Sequence, residues 1–139
     1  MITLFLNVNG VLNCETSESI APDGSRGIDN DKVKILRDII KQTNAVLVLA
    51  APDWVADYRM ETERGIYLTK KLDRQGVHIT ECTSNIEKYI MEKPWAKPYV
   101  VLDVVKNDED PSYIAVDPDT GLTEFYVQPC VNILSKYKD

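Results

Sequence analysis

A chain of 139 residues, 44% hydrophobic and 27% charged, can bury a core without covalent staples and is too apolar to be a disordered polymer. Its formal net charge of −6 opposes free-standing nucleic-acid binding, which needs a basic surface against the phosphates, so only a local basic patch could support it. Cys14, Cys82 and Cys130 are odd in number and far apart, which suggests neither a disulfide framework nor a zinc site but thiols in a reducing compartment.

In chain order, apolar runs rich in β-branched residues occupy 2–6, 45–49, 77–80, 99–102 and 113–116. Near-continuous apolar runs suit parallel strands covered on both faces. The first strand leads into a long loop, 9–29, and then a helix over 30–42. There Val33, Leu36 and Ile40 form one stripe, and Asp29 or Asn30 is available as a cap. After the second strand, 50–60 reads as another long loop, followed by a helix over 61–75 that stops at Gly76. His78, the single histidine, falls in the third strand, where packing is its expected role. Ser84 to Glu87 has the spacing of a capping box and opens a helix that ends before Pro94. A last helix is expected after Thr123, stapled by Leu122 and Val127, with Pro129 kinking it or delaying its start. The alternation predicts one α/β domain over 1–139 with a parallel sheet and right-handed crossovers. No leader and no apolar run of about 18 residues is visible, so a soluble, cytoplasmic chain with no membrane contact is expected.

Open α/β sheets place their sites at the carboxyl ends of strands. At those ends stand Asn7 and Asn9, Ala50 and Ala51, and Asp103. By themselves Asn7 and Asn9 could simply satisfy loop backbone groups. Asp103 could be a loop or helix-capping acid, or a metal ligand. Asp108, Glu109 and Asp110 read as a solvated acidic turn, with a substitute ligand as the alternative. Trp54 and Tyr58 could stack on a ligand, but their neighbours favour anchoring the loop.

Four segments, "LFLNVNGVLN", "AVLVLAAPDW", "KPYVVLDVV" and "VDPDTGLTE", fall in an order and spacing that resembles the haloacid dehalogenase (HAD) superfamily of phosphohydrolases. The resemblance covers nearly the whole chain and is nearest to small capless HAD domains found in RNA-repair proteins. It implies a three-layer α/β/α sandwich whose five strands are ordered third, second, first, fourth, fifth. It also implies a site built from Asp-x-Asp-Gly after the first strand, a hydroxyl after the second, a Lys or Arg before the fourth, and acids after the fourth that hold magnesium.

At the matching positions this chain has Asn7 for the nucleophile, Asn9 for the acid/base, Ala50 or Ala51 for the hydroxyl, and Asp103 followed by Val104 and Val105. Lys88, Lys93 and Lys97 are the candidate basic residues, and the family's tryptophan–arginine step looks like Trp54-Val55. An amide cannot form an aspartyl-phosphate, nor exchange a proton near neutral pH as a carboxyl does. Losing one member of a cooperative catalytic set can cost on the order of 10⁴ to 10⁶ in rate. The reading is therefore a pseudo-phosphatase that binds a protein partner or phosphorylated ligand. No cofactor is expected, and Asp103 is at most a remnant metal ligand. The alternatives are a magnesium-dependent phosphohydrolase with displaced ligands and an inactivated variant of one.

Overall fold

The computed structural model describes residues 2–135. Its strands are β1 (Thr3–Leu6), β2 (Val46–Leu49), β3 (Ile79–Cys82), β4 (Tyr99–Asp103) and β5 (Tyr113–Ala115). They form one sheet in the order β3-β2-β1-β4-β5, every neighbouring pair parallel. The helices are α1 (Asn30–Thr43), α2 (Pro52–Met60), α3 (Glu63–Asp73), α4 (Ile86–Glu92) and α5 (Val127–Ser135). This is the α/β class and strand order that the alternation and the resemblance imply.

The two sheet faces carry separate apolar clusters, because side chains alternate along each strand. Leu4, Leu6, Leu47, Leu49, Val100 and Leu102 join the larger cluster, with Val33 and Leu36 of α1, Leu68 and Leu72 of α3 and Leu134 of α5. On the opposite face Phe5, Val48 and Val101 are buried against Ile86, Tyr89 and Ile90 of α4. β1 is buried at every position, as the central strand between two parallel neighbours should be.

Several local expectations change. The region 50–60 is not a loop: Pro52 to Met60 is helical, with Pro52 in the first turn, where its missing N–H is harmless. Only Trp54 and Val55 of α2 are buried, too few for a helical stripe to show in the sequence. Glu61 then takes the left-handed conformation (φ 52°), and Thr62 caps α3 by accepting from the Gly65 N–H at 3.2 Å. Gly65 is required by packing, since a Cβ there would lie 2.1 Å from the Asp57 carbonyl oxygen of α2.

In α1 the fully buried stripe runs through Ile39, and Ile40 lies at its margin. β3 begins at Ile79, two residues later than the apolar run suggests, because Val77 closes the end of α3 through its N–H to Leu72 O. His78 accordingly is not packed: its side chain is 73% exposed, with Nδ1 2.8 Å from Asp73 Oδ1. Asn85 rather than Ser84 caps α4, accepting from the Lys88 N–H at 3.1 Å. Thr123 makes no side-chain cap; a 3₁₀ turn over Glu124–Tyr126 intervenes, and α5 starts late enough to place Pro129 in its first turn.

The loop 9–29 rejoins α1 through a partly buried charge pair. Asp29 Oδ2 accepts from Ser17 Oγ at 2.5 Å and from Lys32 Nζ at 3.0 Å, instead of capping the helix. Burial pulls the Asp29 carboxyl upward, but the hydrogen bonds from Ser17, Lys32 and Ser19 outweigh it and hold it below the ordinary value. A carboxyl depressed in the fold contributes stability above its unfolded value and loses it as the pH falls through its folded value. Acid unfolding of wild type should therefore be steeper, on the acid side of pH 3.8, than that of Ser17→Ala. Urea titrations between neutral and acid pH check this, and parallel curves for the two proteins would refute it.

Candidate functional site

The site is built where β1, β2 and β4 end side by side. Asn7 follows β1, and its N–H donates to Leu102 O of β4 at 2.9 Å, which brings the first strand end against the fourth. Val8 is buried, so the chain turns about an apolar pivot that leaves Asn7 and Asn9 partly exposed. A helical turn follows, with the Leu12 N–H on Val8 O at 2.8 Å. Gly10 has φ 82°, and a Cβ there would lie 2.5 Å from Val104 Cγ1, so this turn tolerates only glycine.

Asn7 and Asp103 meet directly. Asn7 Nδ2 donates to Asp103 Oδ1 at 2.8 Å, while Asn7 Oδ1 accepts from the Val8 N–H at 2.9 Å. Asp103 Oδ1 also accepts from the Val104 N–H at 2.6 Å. Asn9 is fixed by a second network. Trp54 Nε1 can only donate, so the atom it meets at 3.2 Å is Asn9 Oδ1, which also takes Asn13 Nδ2 at 3.4 Å. Asn9 Nδ2 is then left to donate to Asp53 Oδ2 at 3.3 Å. Each strand-end amide thus donates to a carboxylate.

Ala50 is half-buried, with its N–H on Leu6 O, and Ala51 is fully buried at the head of α2. Both stand beside the β1 end, where the resemblance places a hydroxyl. The three candidate lysines are not assembled there. Lys93 is paired with Glu81 and lies 4.4 Å from the Tyr89 ring centre, and Lys88 faces Glu92 at 3.9 Å. Lys97 precedes β4 by two residues, so the whole strand, roughly 13 Å of rise, lies between it and Asp103. In the acidic turn, Asp108 pairs with Lys106, and Asp110 accepts from Tyr99 Oη at 2.5 Å and from the Ser112 N–H. Among the described residues no three of His, Cys, Asp and Glu come together as a metal-holding group.

Trp54 is 0% exposed, which leaves no face for a ligand; it lies in α2 and not in a loop, ties the 9–29 loop down through its bond to Asn9, and has Arg64 Cζ 3.5 Å from its ring centre. Arg64 also donates to Asp53 O at 2.7 Å and to Asp57 Oδ2 at 2.9 Å. A guanidinium therefore does sit on the tryptophan, supplied by α3 and not by position 55. Tyr58 is half-buried, and burial, with help from Cys82 and Glu61, pushes its phenol up. All three cysteines are free thiols, and burial pushes that of Cys130 up to about 12.

Sequence reasoning missed Asp53, Asn13 and Arg64. Asn13 is fully buried, accepting from the Gly10 N–H and donating to Gly27 O, both at 2.8 Å. Its signal was present in the sequence: it is a polar residue closing the run Val11-Leu12-Asn13, one helical turn beyond Asn9.

The family described as the HAD domain in Swiss Army Knife RNA repair proteins matches residues 3–127. The chain belongs to this family. No curated protein and no solved structure matches it. The match to this HAD family spans all five strands and the paired strand-end amides. Among the described residues, no helix is long and apolar enough to cross a membrane.

Proposed function

We propose that this HAD domain performs no phosphoryl transfer and serves as a binding or regulatory domain whose partner is a protein. The observation that supports the absence of phosphoryl transfer is the pair of amide-to-carboxylate hydrogen bonds, Asn7 to Asp103 and Asn9 to Asp53. In the family pattern those amides would be the nucleophilic and acid/base carboxylates. Here each amide N–H₂ occupies the space between the two side chains and neutralises nothing. The nucleophile position holds a delocalised amide, and the acid/base position holds a group that does not exchange protons at neutral pH.

Magnesium, which the family pattern implies, does not fit the residues present. It takes hard, mostly anionic oxygens in near-octahedral geometry. Asn7 offers one neutral oxygen already taking the Val8 N–H, and it turns its donor nitrogen toward Asp103. The positions after Asp103 are Val104 and Val105.

A phosphorylated ligand is the weaker of the two ligand classes. Ala50 and Ala51 offer no hydroxyl, and Asp53 and Asp103 would repel a phosphoryl group. Two measurements test the proposal. Purified protein at high concentration with magnesium should release no phosphate from an aryl phosphate above a no-enzyme control. Inorganic phosphate at millimolar concentration should leave the melting temperature unchanged. Turnover that survives repurification and disappears in Asp103→Ala would return the chain to the enzymes.

A further inference from the structure

Asn9-Gly10 is the kind of dipeptide in which a backbone nitrogen attacks the preceding side-chain amide, since glycine has no side chain to obstruct the approach. The fold holds both reacting groups apart from that reaction. Gly10 is buried, and its N–H is committed to Asn13 Oδ1 at 2.8 Å. Removing the Gly10 proton would turn its lone pair against those of Asn13 Oδ1. The Asn9 carboxamide is tethered at both ends, its oxygen by Trp54 and Asn13 and its nitrogen by Asp53. Asn13 therefore acts on both partners, accepting from the nucleophile and donating to the electrophile's oxygen. Its own position is fixed by complete burial and by its bond to Gly27 O at 2.8 Å.

We infer that Asn9 is a latent deamidation site and that Asn13 is the residue that keeps it latent. When the 8–13 turn opens, the deprotonated Gly10 nitrogen bonds to Asn9 Cγ, and the C–N bond to the side-chain nitrogen breaks. That nitrogen takes up a proton from water and leaves as ammonia. Water then opens the five-membered imide at either carbonyl, giving Asp or isoAsp at position 9, with no oxidant or cofactor involved. The product also weakens the closed turn. A carboxylate at position 9 loses the donor to Asp53 Oδ2, now 3.3 Å away, and sets two negative groups together, which favours the open turn. Asn7 does not share this chemistry, because the β-branched Val8 follows it and its own amide is held on Asp103. The inference concerns the chemistry of the turn and does not depend on the absence of phosphoryl transfer.

The full chain is incubated at mildly alkaline pH well below its melting temperature, in buffer and in denaturing urea, and the Asn9 peptide is followed by mass spectrometry with separation of Asp and isoAsp forms. Folded wild type should deamidate at least roughly tenfold more slowly than the urea sample, the factor given by an opening free energy of about 1.4 kcal/mol. Asn13→Leu, confirmed folded by circular dichroism, should lose most of that protection at Asn9 and none at Asn7. Hydrogen exchange in wild type, which needs no variant, should show the Gly10 amide protected. A folded wild type that deamidates at the urea rate, a folded Asn13→Leu as durable as wild type, or a Gly10 amide exchanging at the random-coil rate would each overturn the inference.

Discussion

Trp54→Ala should lower the unfolding free energy by about 3–5 kcal/mol, the range for removing a buried aromatic side chain. For a domain of this size that is a fall in melting temperature on the order of 10 °C or more. Three losses combine. The indole is 0% exposed in the larger core cluster, so its removal leaves a cavity that α2, a helix of nine residues, is too short to fill by shifting as a unit. The Arg64 guanidinium, stacked at 3.5 Å, loses the ring beneath it while its bonds to Asp53 O and Asp57 remain. Asn9 Oδ1 loses its Trp54 donor, which frees the amide opposite Asp53.

Trp54→Phe separates these effects. It keeps most of the apolar volume and the face for Arg64 but deletes the N–H, so a loss of about 1 kcal/mol is expected, the net worth of one hydrogen bond. Urea unfolding of the two variants supplies both numbers. An alanine variant within about 1 kcal/mol of wild type would show that α2 repacks, contrary to the size of an unfilled aromatic cavity.

Trp54 also shows where the sequence was legible and where it was not. β1, β2 and β4 could be read because parallel strands covered on both faces leave uninterrupted apolar runs. α1 could be read because its fourteen residues repeat an apolar stripe over several turns. α2 could not, since a helix that buries only Trp54 and Val55 leaves no period to detect. With α2 unseen, Asp53 had no reason to be placed opposite Asn9, and Arg64 none to be placed over Trp54. The Arg64–Trp54 contact arises from α2 folding back against α3, an approach that depends on Gly65, and the Asp53–Asn9 contact arises because α2 begins beside the turn that follows β1.

His78 failed for a different reason. The apolar run at 77–80 mixes the end of one element with the start of the next: Val77 caps α3 while Ile79 begins β3. The residue between them belongs to neither core. The strand-end positions of Asn7, Asn9 and Asp103 were legible because two apolar runs, 2–6 and 99–102, each ended on a polar residue. The direction of the amide bonds was not, since it depends on which donors the folded turn aims at each oxygen.

Asn7→Asp is the second large effect, and it should appear as a cation dependence the wild type lacks. The substitution replaces an amide that donates to Asp103 at 2.8 Å by a carboxylate facing a carboxylate. A hydrogen bond to a charged group contributes about 1.5–3 kcal/mol, so a loss of about 2 kcal/mol is expected at neutral pH in chelator-treated buffer. Charge repulsion adds to it, because neighbouring carboxylates that share a site resist being ionised together. Magnesium should then raise the melting temperature of the variant and leave wild type unchanged, since a ligand stabilises only the protein that binds it. Recovering about 1 kcal/mol requires free cation at roughly four to five times its Kd.

Lowering the pH should narrow the gap between variant and wild type in the absence of metal. The carboxylate pair can take up one proton and restore a donor between its oxygens, whereas the amide of wild type gains nothing. Asn7→Leu distinguishes repulsion from the simple loss of a bond. It removes the donor from Asp103 without adding charge, leaves the Val104 N–H still on Asp103 Oδ1, and should be destabilised without any response to magnesium. No aspartyl-phosphate turnover is expected from Asn7→Asp alone, because Asn9, Ala50, Ala51 and Val104 are unchanged. Equal magnesium stabilisation of wild type and Asn7→Asp would mean that the amide does not displace a cation. An Asn7→Asp protein as stable as wild type without metal would mean that the Asn7–Asp103 bond does not hold these strand ends together.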